Sequence, residues 1–218
     1  MLAFSDLREA TYCPRKLYYT RRRDDRTVPD EVDAVRDLAH RYADILAGDC
    51  DDALAELVAP PPATYREQLR RTADTCPRFD ELCDPADSDV LLTGRDCRGI
   101  AGKVLAEPPA PSLISPGRPP ENGVWEPHSV WAVAAAKALA WERETPVERA
   151  FVEYPAYGIV RTVDITARRT AAYRRAMRTV DALDGPPPRL GNSAKCESCE
   201  YADTCGVKTR SLSSLLGL

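Results

Sequence analysis

Apolar positions recur along this chain with two different periods, and the change from one to the other divides it. Between Asp30 and Ala47 the apolar residues Val32, Val35, Leu38, Ala39, Tyr42, Ile45 and Leu46 fall on one stripe at helical spacing. That stretch predicts one amphipathic helix, with Gly48 as its stop. Upstream, Leu7 to Tyr12 predicts a short helix capped by Ser5 and broken or restarted by Pro14. Ala53 to Val58 and Thr64 to Ala73 read as further helices, the second of them polar, on either side of the stiff "APPPA". Thr75 to Asp89, rich in Asp, Pro and Cys, carries no readable period.

Strands follow. "DVLLTG" from Asp89 and "RGIAGKVLAE" from Arg98 flank a short polar turn and predict a hairpin. Pro108 to Gly123 is rich in Pro and Gly, with at most one short strand around Leu113. His128 to Arg143 predicts an Ala-rich helix, and Arg149 to Thr166 predicts two strands around "AYG". Ala167 to Leu183 predicts an amphipathic helix, ended by Gly185 and the prolines after it. Helices, a strand pair, a third strand, a helix, two strands and a helix make an α/β chain with a mixed central sheet flanked by helices.

Composition adds little to that picture and removes some alternatives. At 218 residues and 44% hydrophobic, residues 1–218 are expected to form one domain with a real core. Net charge is −4, from 34 acidic and 30 basic residues, so nucleic-acid binding would need a local basic groove. Arg is dense from Tyr18 to Arg26 and from Ala167 to Arg178. No run reaches the roughly 18–20 apolar residues of a membrane span, and the N-terminus lacks a signal-peptide core. The expectation is a cytoplasmic protein with no membrane partner.

The chemistry sits in cysteines. In such a compartment, clustered cysteines point to metal more than to disulfides. Cys196, Cys199 and Cys205 place three thiols within a short C-terminal stretch. Tetrahedral zinc and iron–sulfur clusters both normally take four protein ligands. The tail offers no histidine, since the two in the chain are His40 and His128. Cys13, in "YCPRK", is the best candidate for the fourth ligand, and zinc and iron–sulfur remain equally open on this ground. Cys50, Cys76, Cys83 and Cys97 lack ligand-like spacing and read as ordinary core or loop cysteines.

"SDLREATYCPRKLYY" at the start, with "PPRLGNSAKCESCEYADTC" near the end, resembles the CRISPR-associated Cas-four family of RecB-like exonucleases. The resemblance covers both ends and the strand–helix stretch from Val152 to Pro188, and almost nothing between Asp49 and Ser88. It implies a restriction-endonuclease-like, PD-(D/E)XK core. It also implies a 4Fe–4S cluster held by Cys13, Cys196, Cys199 and Cys205, with 1–20 and 187–207 jointly forming its subdomain. Arg15 and Lys16 would then pair with the cluster's charge or with a DNA phosphate. The implied partners are single-stranded or partly double-stranded DNA and CRISPR adaptation proteins.

The family's nuclease site uses a helix histidine, a strand Asp after a glycine, and Glu-x-Lys on the next strand, holding Mn or Mg to activate water. His40, in "DLAHRYAD", matches the histidine. The rest departs from the pattern: Leu105 stands where Asp is expected, Leu113 and Ser115 where Glu and Lys are expected, and Val133 near a usual Gln. Glu107, two residues past Leu105, would face the same side if the strand continued and could reach a metal with His40. Glu126 and His128 read as a surface pair at a helix start. Three functions follow as expectations: a DNA-associated iron–sulfur protein with a lost nuclease site, an active exonuclease with migrated ligands, and a zinc-stabilised interaction module.

Overall fold

The computed structural model describes residues 1–23, 29–48, 54–191 and 193–206. Cys50 lies outside them. The N-terminal elements are β1 (Leu2–Ala3), α1 (Phe4–Tyr12), α2 (Pro14–Thr20), α3 (Asp30–Asp37) and α4 (Tyr42–Ala47), with a 3-10 turn at Leu38–His40. The helices α5 (Leu54–Leu57), α6 (Pro62–Thr75) and α7 (Phe79–Cys83) follow. Then come β2 (Asp87–Thr93), β3 (Cys97–Leu105), β4 (Ala110–Ile114), α8 (Glu126–Arg143), β5 (Arg149–Tyr154), β6 (Ile159–Asp164), α9 (Ala167–Asp181) and α10 (Ser193–Glu197).

The strands form one mixed six-stranded sheet. β3 is its hub: it pairs antiparallel with β2, antiparallel with β4, and parallel with β1 at Cys97 and Arg98. α8 carries the chain from β4 to β5, which therefore pair in parallel, and β6 closes antiparallel on β5. The expected hairpin, third strand, Ala-rich helix and last strand pair all stand where the sequence places them.

Two apolar cores lie against the sheet. The first joins α1, α8 and α9 through Leu7, Val104, Leu113, Val133, Val152 and Tyr173. Alanines of α8, among them Ala134, Ala135 and Ala138, are fully buried and let it sit close on the strands. At the tightest point a Cβ on Gly94 would lie 2.7 Å from the Ala138 backbone, so only glycine fits there. The second core joins α4, α6 and α7 to the sheet through Tyr42, Leu69, Phe79, Leu105, Ile114 and Phe151.

Four expectations are corrected. Ser5 is not a cap: α1 begins at Phe4 after Ala3, without a side-chain cap. The helix expected from Asp30 to Ala47 is broken between α3 and α4, although Gly48 does end it in the left-handed region at φ 102°. The unread stretch before β2 contains α7, a helix of one turn and a half that buries Phe79 and Leu82. β1 was not expected, being two residues long and defined by its pairing with β3. Among the described residues, no helix is long and apolar enough to cross a membrane.

Candidate functional site

The N-terminal helices and residues 193–206 meet. α1 stops at Cys13, whose extended backbone (φ −161°, ψ 110°) makes it the N-cap of α2, with Pro14 in the first turn. The Cys13 thiol accepts from the Lys16 N–H at 3.4 Å. From the C-terminal side, Cys196 lies on α10, Cys199 turns back on it through its N–H, and the Cys205 N–H bonds the Tyr201 carbonyl at 2.7 Å. Cys13, Cys196, Cys199 and Cys205 all line one cavity. Each is a free thiol.

Side chains of α1 and α2 hold the tail there. Arg15 Nε donates to the Cys205 sulfur at 3.1 Å, and its Nη1 to the Pro187 carbonyl at 2.7 Å. Tyr19 stacks on buried Tyr201 with centroids 5.6 Å apart. Lys16 pairs with Glu200 at 3.2 Å and with Glu9 at 3.5 Å. Burial works against the charge on both cations. The Cys205 thiol and Tyr19 beside Arg15, and Glu200 and Glu9 beside Lys16, outweigh it and hold both pKa values above the ordinary ones.

The donor set fits a thiophilic metal. Four thiols, one already taking a guanidinium hydrogen bond, suit zinc or an iron–sulfur cluster by ligand type. The free space between them is small, about 20 Å³. Among the described residues, no three His, Cys, Asp or Glu side chains are placed to share one metal ion.

The remaining sequence-derived residues do not converge. His40 is exposed at the 3-10 turn and lines a cleft of about 510 Å³. The strand residues lining that cleft include Arg98, Gly99, Ile100 and Gly102 of β3 and Ile114 of β4, with Asp33 and Asp37 from α3 and Asp89 from β2. Asp89 holds φ 52°, a strained value for a non-glycine residue. Leu105 packs in the second core and Leu113 in the first, so they point to opposite faces of the sheet. Ser115, two residues on from Leu113, is buried too, and Val133 is core. Leu105, Leu113 and Ser115 thus cannot frame one site with His40. Glu107 does not extend the β3 alternation, because β3 ends at Leu105 and Glu107 lies exposed in the following turn. His40 shares its cleft with Arg98, Gly99, Ile100 and Gly102 of β3 instead.

Two polar groups escaped the sequence reading. Lys103, Ser112 and Glu153 are fully buried on neighbouring strands. The Lys103 ammonium donates to Glu153 Oε2 at 2.9 Å and to the Ala39 carbonyl at 2.6 Å, and lies 4.9 Å from the Tyr42 ring centroid. Ser112 donates to Glu153 Oε1 at 2.6 Å. The available signal was a single charge of each sign inside the otherwise apolar stretches Ile100–Leu105 and Ala150–Tyr154.

His128 is the second, and it is not part of a surface pair. Glu126 is exposed and reaches Arg175 at 3.7 Å. His128 turns inward, and its Nδ1 shares a 2.8 Å hydrogen bond with the Tyr154 hydroxyl. Burial, helped by the Arg8 charge, pushes its pKa down to about 4. The folded state holds the neutral ring, so its contribution is whole above the ordinary value of about 6.5 and is lost as pH falls towards 4. The shift is worth about 3 kcal/mol. Urea unfolding at about pH 7 and about pH 4.5 should show that loss in the wild type and a smaller one in His128→Gln. Equal losses in both would remove His128 as the cause.

Searches against protein-family models, curated proteins and solved structures return no match.

Proposed function

We propose that this chain is a Cas-four-like iron–sulfur protein of the RecB-like nuclease superfamily, associated with DNA, whose nuclease site has been lost. One observation carries the reading: Cys13 and the three C-terminal cysteines, from opposite ends of the sequence, line one cavity. The mixed sheet, with its antiparallel β2–β3–β4 run and α8 crossing to a parallel β5, is compatible with a PD-(D/E)XK core. The cleft that holds His40 is lined by none of Leu105, Leu113 and Ser115, the positions at which the resemblance expects the catalytic groups.

Cys13, Cys196, Cys199 and Cys205 would hold the 4Fe–4S cluster. When bound, it would act as an inorganic cross-link between the two ends. Arg15, which donates to the Cys205 sulfur, would offset the charge of that ligand, and the Tyr19–Tyr201 stack beside it would hold the tail in place. Such a protein would act as a DNA-binding or complex-forming subunit, with CRISPR adaptation proteins as the implied partners.

Anaerobically purified protein should be brown and contain iron and labile sulfide. A colourless protein with zinc would favour the interaction-module reading. Incubated with manganese and end-labelled single-stranded DNA, wild type and His40→Ala should both leave the substrate intact. Cleavage by the wild type that disappears in His40→Ala would restore the nuclease.

A further inference from the structure

A second recess shares a wall with the cysteine cavity. It is about 480 Å³, lies between α1, α10 and the segment leading into α8, and touches Tyr12, Lys16 and Lys195, which also line the thiols. Its cations are Arg8, Lys16, Arg118 and Lys195, against one acid, Glu9, which is paired with Lys16. The His40 cleft is different: Asp33, Asp37 and Asp89 there offset Arg36, Arg98 and the shared Arg8. That balance draws an anion to this recess rather than to the His40 cleft.

The recess also carries aromatic rings. Trp125 is 49% exposed, and its indole N–H donates to the Arg118 carbonyl at 2.7 Å. That bond pins the ring by its edge, at little entropic cost to a ligand lying on it. Tyr12 stands with the Lys195 ammonium 4.8 Å from its ring centroid. Arg8, which the recess shares with the His40 cleft, lies over Trp131 on the cleft side at 4.8 Å and has no hydrogen-bond acceptor among the described residues. A guanidinium stacked on a ring with its N–H edges unspent is set for a phosphate oxygen. His128 offers an uncharged edge beside it.

We propose that this recess binds single-stranded nucleic acid, with one unpaired base stacked on Trp125 and its flanking phosphates taken by Arg8, Arg118 and Lys195. The inference rests on the reading above that the chain is associated with DNA, and it moves the contact away from the His40 cleft. A volume of this size suits one nucleotide. A duplex keeps its base faces inside the stack, so an exposed ring favours the single strand. Acidic peptides would meet the cations but leave the ring unused.

Tryptophan fluorescence of the full chain, titrated with oligothymidine and with a matched duplex, tests this. The single strand should quench emission and bind more tightly than the duplex. Trp125→Ala should weaken single-strand binding about tenfold or more, and Trp125→Phe should restore most of it. Arg118→Glu should weaken binding and lower the salt slope by about one phosphate. Single-strand binding unchanged in both Trp125→Ala and Arg118→Glu would overturn the recess while leaving DNA association intact. Equal affinity for duplex would overturn the stacking. A wild type that binds neither strand form would remove the DNA reading itself.

Discussion

Replacing Cys199 with serine should strip the purified protein of most of its iron and labile sulfide, and of its broad visible absorption. The expectation follows from where the ligands come from. The proposed centre, bridging Cys13 to Cys196, would close nearly the whole chain into one loop. In the chain-entropy picture, a cross-link of that span removes about 5 kcal/mol of freedom from the unfolded state. The loss should appear as a lower melting temperature for the variant purified under the same anaerobic conditions. What remains to hold the tail is modest: the Arg15 bonds, the Tyr19–Tyr201 stack, and ion pairs of Glu200 with Lys16 and Arg23 that are partly exposed. Exposed pairs are each worth at most about 1 kcal/mol. Cys83→Ser is the control, since Cys83 packs beside the second core away from the thiol cavity. It should keep its iron. Full iron in Cys199→Ser, or equal loss in Cys83→Ser, would disconnect the cavity from the centre.

That cavity was legible in the sequence for a simple reason. Three cysteines at close spacing need a partner, and the tail supplied none, which directed attention to Cys13. The hairpin of β2 and β3, and α8, were legible because period and turn chemistry agree with their tertiary surroundings. The break between α3 and α4 was not, because its cause lies far away in sequence: the Ala39 carbonyl is taken by Lys103 on β3. The nuclease positions failed at the level of register. Leu105 pairs with Ala110 across the β3–β4 ladder, so Leu113, three residues beyond Ala110, faces the opposite side. No reading of single strands supplies that number. His40 lies in the 3-10 turn that breaks the expected helix, and the residues that share its cleft come from α1, α3, β2 and β3, among others, which only the folded chain brings together.

The other large effect should come from the buried ion pair. Glu153→Leu leaves the Lys103 ammonium fully buried with one carbonyl and an aromatic ring, and should cost about 3–5 kcal/mol. Lys103→Met leaves the Glu153 carboxylate with only the Ser112 hydroxyl, and should cost a similar amount. The Tyr42 hydroxyl has no partner within hydrogen-bond geometry among the described residues; burial first, and then the nearby Glu153 carboxylate, raise its pKa, and as a neutral group it cannot take the ammonium's place as a charge partner. Carrying both substitutions removes two buried charges together, so the double variant should be more stable than either single one. Urea midpoints of the four proteins give the cycle directly. Costs that simply add would mean the two groups act independently. The single Lys103→Met change has a second consequence, because its ammonium ties β3 to the Ala39 carbonyl at the helix break. Amide exchange from Leu38 to Tyr42 should speed up in that variant more than exchange in α6. Slower or unchanged exchange there would mean that the break is held by the apolar packing of Leu38, Ala39 and Tyr42 alone.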